Sequence, residues 1–132
     1  MPRQLILFLK YNRWGFLWGA LIVFLTVLPG KAIPRLPAFM DLLQPDKLVH
    51  LFIFGVFVFL QIRGFISQPV SPVIRKNAAM ITILIGLSLG AITELLQLYF
   101  VPMRTGSIYD FIANAIGCLI GWGIYKSGRI KI

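Results

Sequence analysis

Glu94, Gln97, Arg104, Asp110 and Asn114 fall within a single stretch, TELLQLYFVPMRTGSIYDFIAN, of a chain that is 58% hydrophobic and only 13% charged. A second polar group, D-K-L-V-H, supplies Asp46, Lys47 and His50. Together these residues have the chemistry to move protons and to grip a charged headgroup. Glu94 suits a general acid or base, and Asp46 with His50, four apart on one helix face, resembles an oriented acid–base pair. Arg104 offers a two-point donor to phosphate or carboxylate, Lys47 adds charge, Gln97 and Asn114 can orient a ligand, and Asp110 completes the polar set. Each has a plainer reading. Glu94 can be a protonated interhelical hydrogen-bond donor, His50 a satisfied interfacial residue, and Arg104 a neighbour of lipid headgroups. Ser107 and Asp110 also have the S-x-x-D spacing of a capping box. Asn114 lies one turn deeper, escapes that local explanation, and needs a partner inside the fold. A metal is not expected, because one histidine and scattered carboxylates lack the close ligand spacing of strong zinc motifs; no cofactor motif is present either.

The elements that must position these groups are membrane helices. The chain has 132 residues, enough for one domain, and its mean hydropathy of +0.86 excludes an ordinary water-soluble one. Between Arg13 and Lys31, Lys47 and Arg63, Lys76 and Glu94, and Asp110 and Lys126 lie charge-free runs of 17, 15, 17 and 15 residues. Flanking residues extend each toward the roughly 20 needed to cross a bilayer core. We therefore expect an all-α, integral membrane four-helix bundle in a single domain, 1–132, with helices at about 13–30, 46–65, 77–100 and 107–126. A soluble buried bundle is the rival, and segments apolar around their full circumference disfavour it. The first segment has the basic flank of a signal peptide. However, it ends in Leu28-Pro29-Gly30-Lys31 without a small-x-small cleavage pattern, and Trp14 and Trp18 suit interface anchors. Cys118 is the only cysteine, which excludes an intramolecular disulfide.

Basic residues set an expected orientation. Nine of the 13 lysines and arginines flank one side, at 3, 10, 13, 63, 75, 76, 126, 129 and 131, against Lys31, Arg35, Lys47 and Arg104 on the other. The asymmetry places both termini in the cytoplasm. The net charge of +9 then reflects topology and attraction to anionic lipid, and no aromatic-interleaved basic patch suggests nucleic acid. All four acidic residues, Asp41, Asp46, Glu94 and Asp110, fall toward the outer side with His50, Gln97, Arg104 and Asn114.

If the last two helices form an antiparallel hairpin turning near Arg104, residues whose numbers sum to about 207 share a depth. Gln97 then meets Asp110, Glu94 meets Asn114, Gly90 meets Gly117 and Gly86 meets Gly121. The glycines form two GxxxG patterns, GLSLG and GCLIG, and small residues four apart let membrane helices approach closely. Glu94 lies six residues before Phe100, about 9 Å along a helix axis. An ionisable group at that depth costs several kcal/mol unless paired, protonated or wet, and is a functional candidate by default. Asp46, His50, Glu94, Gln97, Arg104, Asp110 and Asn114 are expected to converge.

The ordered set D-K-L-V-H, E-L-L-Q and R-x5-D-x3-N-x2-G-x3-G, spanning roughly Leu28 to Lys126, resembles the VanZ-like membrane protein family, named for a teicoplanin-resistance protein. The resemblance implies a small multi-pass protein of the bacterial cytoplasmic membrane linked to reduced susceptibility to teicoplanin and related lipoglycopeptides. Three functional classes follow. The leading one is an outer-half polar pocket that binds or modifies the headgroup of a membrane lipid, lipid-linked molecule or other amphiphile. The second is a transferase or hydrolase on a lipid-linked substrate using Glu94 and the Asp46/His50 pair, and the third a proton-coupled transporter using Glu94.

Overall fold

The computed structural model describes residues 2–27, 45–100 and 108–128. Every regular element among them is helical: α1 (Arg3–Val27), α2 (Pro45–Ser67), the short α3 (Pro72–Lys76), α4 (Ala78–Phe100) and α5 (Ile108–Ser127). Three of these, α2 from Lys47, α4 and α5, are long and apolar enough to cross a membrane. α1 is not among them; Arg3, Lys10 and Arg13 interrupt its first half. It begins ten residues ahead of the expected 13, because a helix needs only good helix formers while an apolar run needs freedom from charge. The expected residues 28–30 lie outside the described residues.

α2 is the central helix. Its Phe54, Phe57, Val58, Ile62 and Phe65 form most of the core, joined by Ile22 of α1, Ala78 of α4 and Cys118 of α5. Large apolar side chains face outward instead, among them Leu84, Leu95 and Leu98 of α4 and Ile116 and Leu119 of α5. Such an inside-and-outside apolar helix set is at home in lipid.

α1 is clasped to α2 by polar contacts. Gln61 Nε2 donates to Asn12 Oδ1 at 2.9 Å, Asn12 Nδ2 donates to Phe8 O at 2.9 Å, and Trp18 Nε1 donates to Ile53 O at 2.8 Å. Trp18, expected at the lipid surface, is thus spent on α2, whereas Trp14 is exposed with the Arg13 guanidinium 5.2 Å above its ring. Between α2 and α4, the chain is organised by fully buried Gln68. Its Nε2 donates to Phe65 O and Ser71 O, and its Oε1 accepts from Val70 N and Ser71 N. Ser71 then caps α3, with Pro72 at the first helical position.

The four glycines of the two GxxxG patterns lie at helix contacts, but with partners other than those their spacing suggested. A Cβ on Gly117 would collide with the Leu51 carbonyl, and one on Gly121 with the Gly55 carbonyl, so both α5 glycines are spent against the backbone of α2. Gly90 and Gly86 of α4 make room for α5 side chains: a Cβ at 90 would sit 3.2 Å from Asn114 Cβ, and one at 86 would sit 2.8 Å from Cys118 Sγ. The pairings Gly90 with Gly117 and Gly86 with Gly121 are therefore replaced by glycine against backbone on one face and glycine against side chain on the other. GxxxG announces a close approach without naming the helix that makes it.

Candidate functional site

That packing assembles a polar centre from three helices. His50 lies near the start of α2, Glu94 near the end of α4, and Asp110 and Asn114 in the first turns of α5. Contact between Gly117 and Leu51, the residue after His50, holds α5 against α2, and Asn114 sits one turn away on the same helix. Gly90 provides the space on the α4 side into which Asn114 fits.

His50 is the hub. Its Nδ1 lies 2.7 Å from Asn114 Oδ1 and 3.7 Å from Glu94 Oε1, while its Nε2 lies 3.9 Å from Asp110 Oδ2. With Asn114 Oδ1 as acceptor, Nδ1 carries the proton and Nε2 the lone pair. Lys47, one turn before His50 on α2, places Nζ 3.5 Å from Asp110 Oδ1 and keeps 39% of its side chain exposed. The acid and imidazole side chains are far better sheltered, at 10% for Glu94, 15% for Asp110 and 14% for His50. Asn114 is 1% exposed, and its Nδ2 has no hydrogen-bond partner among the described residues.

His50, Glu94, Asp110 and Asn114 thus meet, with Lys47 at the rim. Gln97 is buried one turn beyond Glu94 on α4. Asp46 lies in the first turn of α2, but its side chain, like Arg104 and Ser107, falls outside the described residues. Lys47 as a partner of Asp110 rather than of headgroups alone was missed by the sequence reading; its i, i+3 spacing to His50 was the available signal.

Chemically, the centre can relay protons, orient a polar ligand or hold a cation. One nitrogen of His50 and one oxygen from each of Glu94 and Asp110 lie within 4.8 Å of one another, the reach of a single metal ion. Linear spacing hid this set because each donor comes from a different helix. Two cavities open elsewhere, one of about 240 Å³ bordered by Lys10, Arg13, Trp14 and Arg63, the other of about 270 Å³ bordered by Gly19, Phe57 and Leu89. The first lies toward the opposite end of α2: Arg63 is 13 residues past His50, roughly 20 Å along the axis.

Among known proteins, the VanZ/LLP1 family model matches residues 4–130, which takes in α1 as well as the motifs from Leu28 onward. No curated protein and no solved structure matches the chain.

Proposed function

The chain belongs to the VanZ/LLP1 family, and from that premise we propose that it is a multi-pass protein of the bacterial cytoplasmic membrane that takes the headgroup of an anionic amphiphile at its His50 centre. The observation that carries this reading is the 2.7 Å contact between His50 and Asn114 inside a nest of two sheltered carboxylates, with Lys47 reaching in from the rim. Buried ionisable groups in a membrane bundle are expensive, and a site that repays the cost by binding is their common explanation. The clustering of Lys10, Arg13 and Arg63 around a cavity at the other end supports an orientation with both termini in the cytoplasm, which sets His50 in the outer half. Occupancy there would alter how lipoglycopeptides such as teicoplanin meet the outer surface.

A second reading has its own support. An imidazole held by an amide on one nitrogen and facing a carboxylate on the other is arranged for proton transfer, so the same centre suits a transferase or hydrolase on a lipid-linked substrate. The test for binding is mass spectrometry of lipid retained through purification in mild detergent. One headgroup class should be enriched in the native protein and depleted in Lys47→Met and Asn114→Ala; equal lipid profiles in all three would sink the proposal. Conversion of the retained lipid on prolonged incubation selects the enzyme reading, and unchanged lipid selects the binder. In cells, a deletion strain carrying Glu94→Gln at matched membrane level should be more susceptible to teicoplanin than one carrying the native gene.

A further inference from the structure

We propose that the cavity between α1 and α2, at the end of the bundle opposite His50, holds the phosphate of an anionic membrane phospholipid, gripped by Lys10, Arg13 and Arg63. The inference is independent of the His50 reading, because it concerns other residues at the other end of α2.

The site begins with a close helix contact. A Cβ on Gly64 would lie 2.5 Å from Asn12 Oδ1 and 3.0 Å from the Tyr11 carbonyl oxygen, so α1 and α2 approach there backbone to backbone. That contact sets Arg63, the neighbour of Gly64, beside the α1 segment carrying Lys10, Arg13 and Trp14. On a helix, residues three and four apart are surface neighbours, so Arg13 and Trp14 both flank Lys10. Between the two helices opens a concavity of about 240 Å³, bordered by these four side chains together with Tyr11 and Ser67.

Charge decides what it takes. Three cations border the cavity and no acidic residue does. The described carboxylate side chains, those of Glu94 and Asp110, lie beside His50, roughly 20 Å away along α2. Like charges gathered around one concavity repel each other, and a bound anion replaces that repulsion with attraction. Half-buried Arg63 presents the planar fork that matches two phosphate oxygens, while Lys10 and Arg13, both exposed, add charge from the rim.

Position and wall chemistry select a lipid over a soluble phosphate. Arg63 lies four residues before Ser67, where the membrane-capable part of α2 ends, which is the level of phospholipid headgroups. Trp14 is exposed, with the Arg13 guanidinium 5.2 Å from its ring centroid, and Leu60 borders the same cavity one turn deeper along α2. A cationic mouth above an aromatic and aliphatic wall suits an amphiphile whose acyl chains descend from its phosphate.

The test is native mass spectrometry of the full-length protein in detergent, with phosphatidylglycerol or phosphatidylcholine added. Native protein should bind phosphatidylglycerol the more tightly. Lys10→Gln/Arg63→Gln should weaken that binding about 30-fold, the product of about fivefold for each cation near the headgroup. Arg3→Gln/Lys126→Gln removes the same charge from exposed positions outside the cavity and should change it less than about threefold. The His50 centre is unaltered in every arm, so the differences report the cavity. Because Arg63 is half-buried, Lys10→Gln/Arg13→Gln serves as a second variant confined to exposed side chains, and it should show a comparable loss in protein that unfolds at the native temperature. Equal affinity for the two lipids, or a loss in the Lys10→Gln/Arg13→Gln variant no greater than in the charge-matched control, overturns the proposal. Displacement of phosphatidylglycerol by an equal concentration of inorganic phosphate overturns the lipid as occupant and assigns the cavity to a soluble phosphate.

Discussion

Gly117→Ala tests whether backbone contact between α5 and α2 is what positions the site. A Cβ at 117 would collide with the Leu51 carbonyl oxygen and lie 3.0 Å from both its carbon and Cα. Carbon atoms in contact prefer about 3.5–4.0 Å, and Leu51 offers backbone that cannot rotate away. α5 must therefore retreat locally by about 0.5–1 Å, and overpacking of this kind costs about 1–3 kcal/mol. The retreat also pulls Asn114 from His50, stretching a 2.7 Å contact toward the limit of a hydrogen bond. Cys118 is the natural reporter: it is the only cysteine, fully buried, and adjacent to the substitution. If labelling by a maleimide requires local opening, Gly117→Ala should speed it about 5- to 150-fold, the equivalent of that free energy. Gly123→Ala is the control, since a Cβ there meets nothing within 4 Å; its labelling should match the native rate. Equal rates for the two variants would refute the claim that α5 rests on the α2 backbone.

Three further outcomes follow from the same packing. Asn12→Leu leaves Gln61 Nε2 without its acceptor and should cost about 1–2 kcal/mol in an SDS unfolding titration, while adding Gln61→Leu should recover part of the loss. Gln68→Leu removes four hydrogen bonds that shape the turn before α3 and should speed tryptic cleavage at Arg75 and Lys76 in detergent several-fold above native. Trp18→Phe, which keeps the aromatic bulk and loses only the bond to Ile53 O, should lower stability by about 0.5–1.5 kcal/mol without changing lipid retention.

Much of this fold is legible in the sequence because a bilayer imposes a simple rule. Charge-free runs located α2, α4 and α5 to within two residues of their ends, since hydropathy and helix length are set by the same hydrocarbon thickness. The gathering of His50, Glu94, Asp110 and Asn114 was legible for a related reason: polar residues at one depth in a small bundle have few places to go but toward each other. Partner choice was not legible. The α5 glycines could have met α4 or α2, and only three-dimensional packing decides that Gly117 and Gly121 lie on α2 while Gly86 and Gly90 accept side chains. Asn12 and Gln61 gave no signal either, because Asn12 lies among the basic residues Lys10 and Arg13 and Gln61 at the end of an apolar run, and each becomes intelligible only as half of a pair 49 positions apart. Hydropathy likewise misplaced the start of α1, where basic residues end an apolar run without ending a helix.

The central claim is that the imidazole of His50 and the carboxylate of Glu94 share one centre between helices, and the chain permits its direct measurement because each is the only residue of its type. Protein labelled with ¹⁵N in histidine and ¹³C at the side-chain carboxyl of glutamate, reconstituted in lipid, can be examined by rotational-echo double-resonance NMR. Nδ1 lies 3.7 Å from Oε1, and the carboxyl carbon is one bond of about 1.2 Å further, so dephasing characteristic of a separation below about 5 Å is expected. A separation beyond the range of the experiment would contradict the account, because the two groups would then occupy different faces of the bundle.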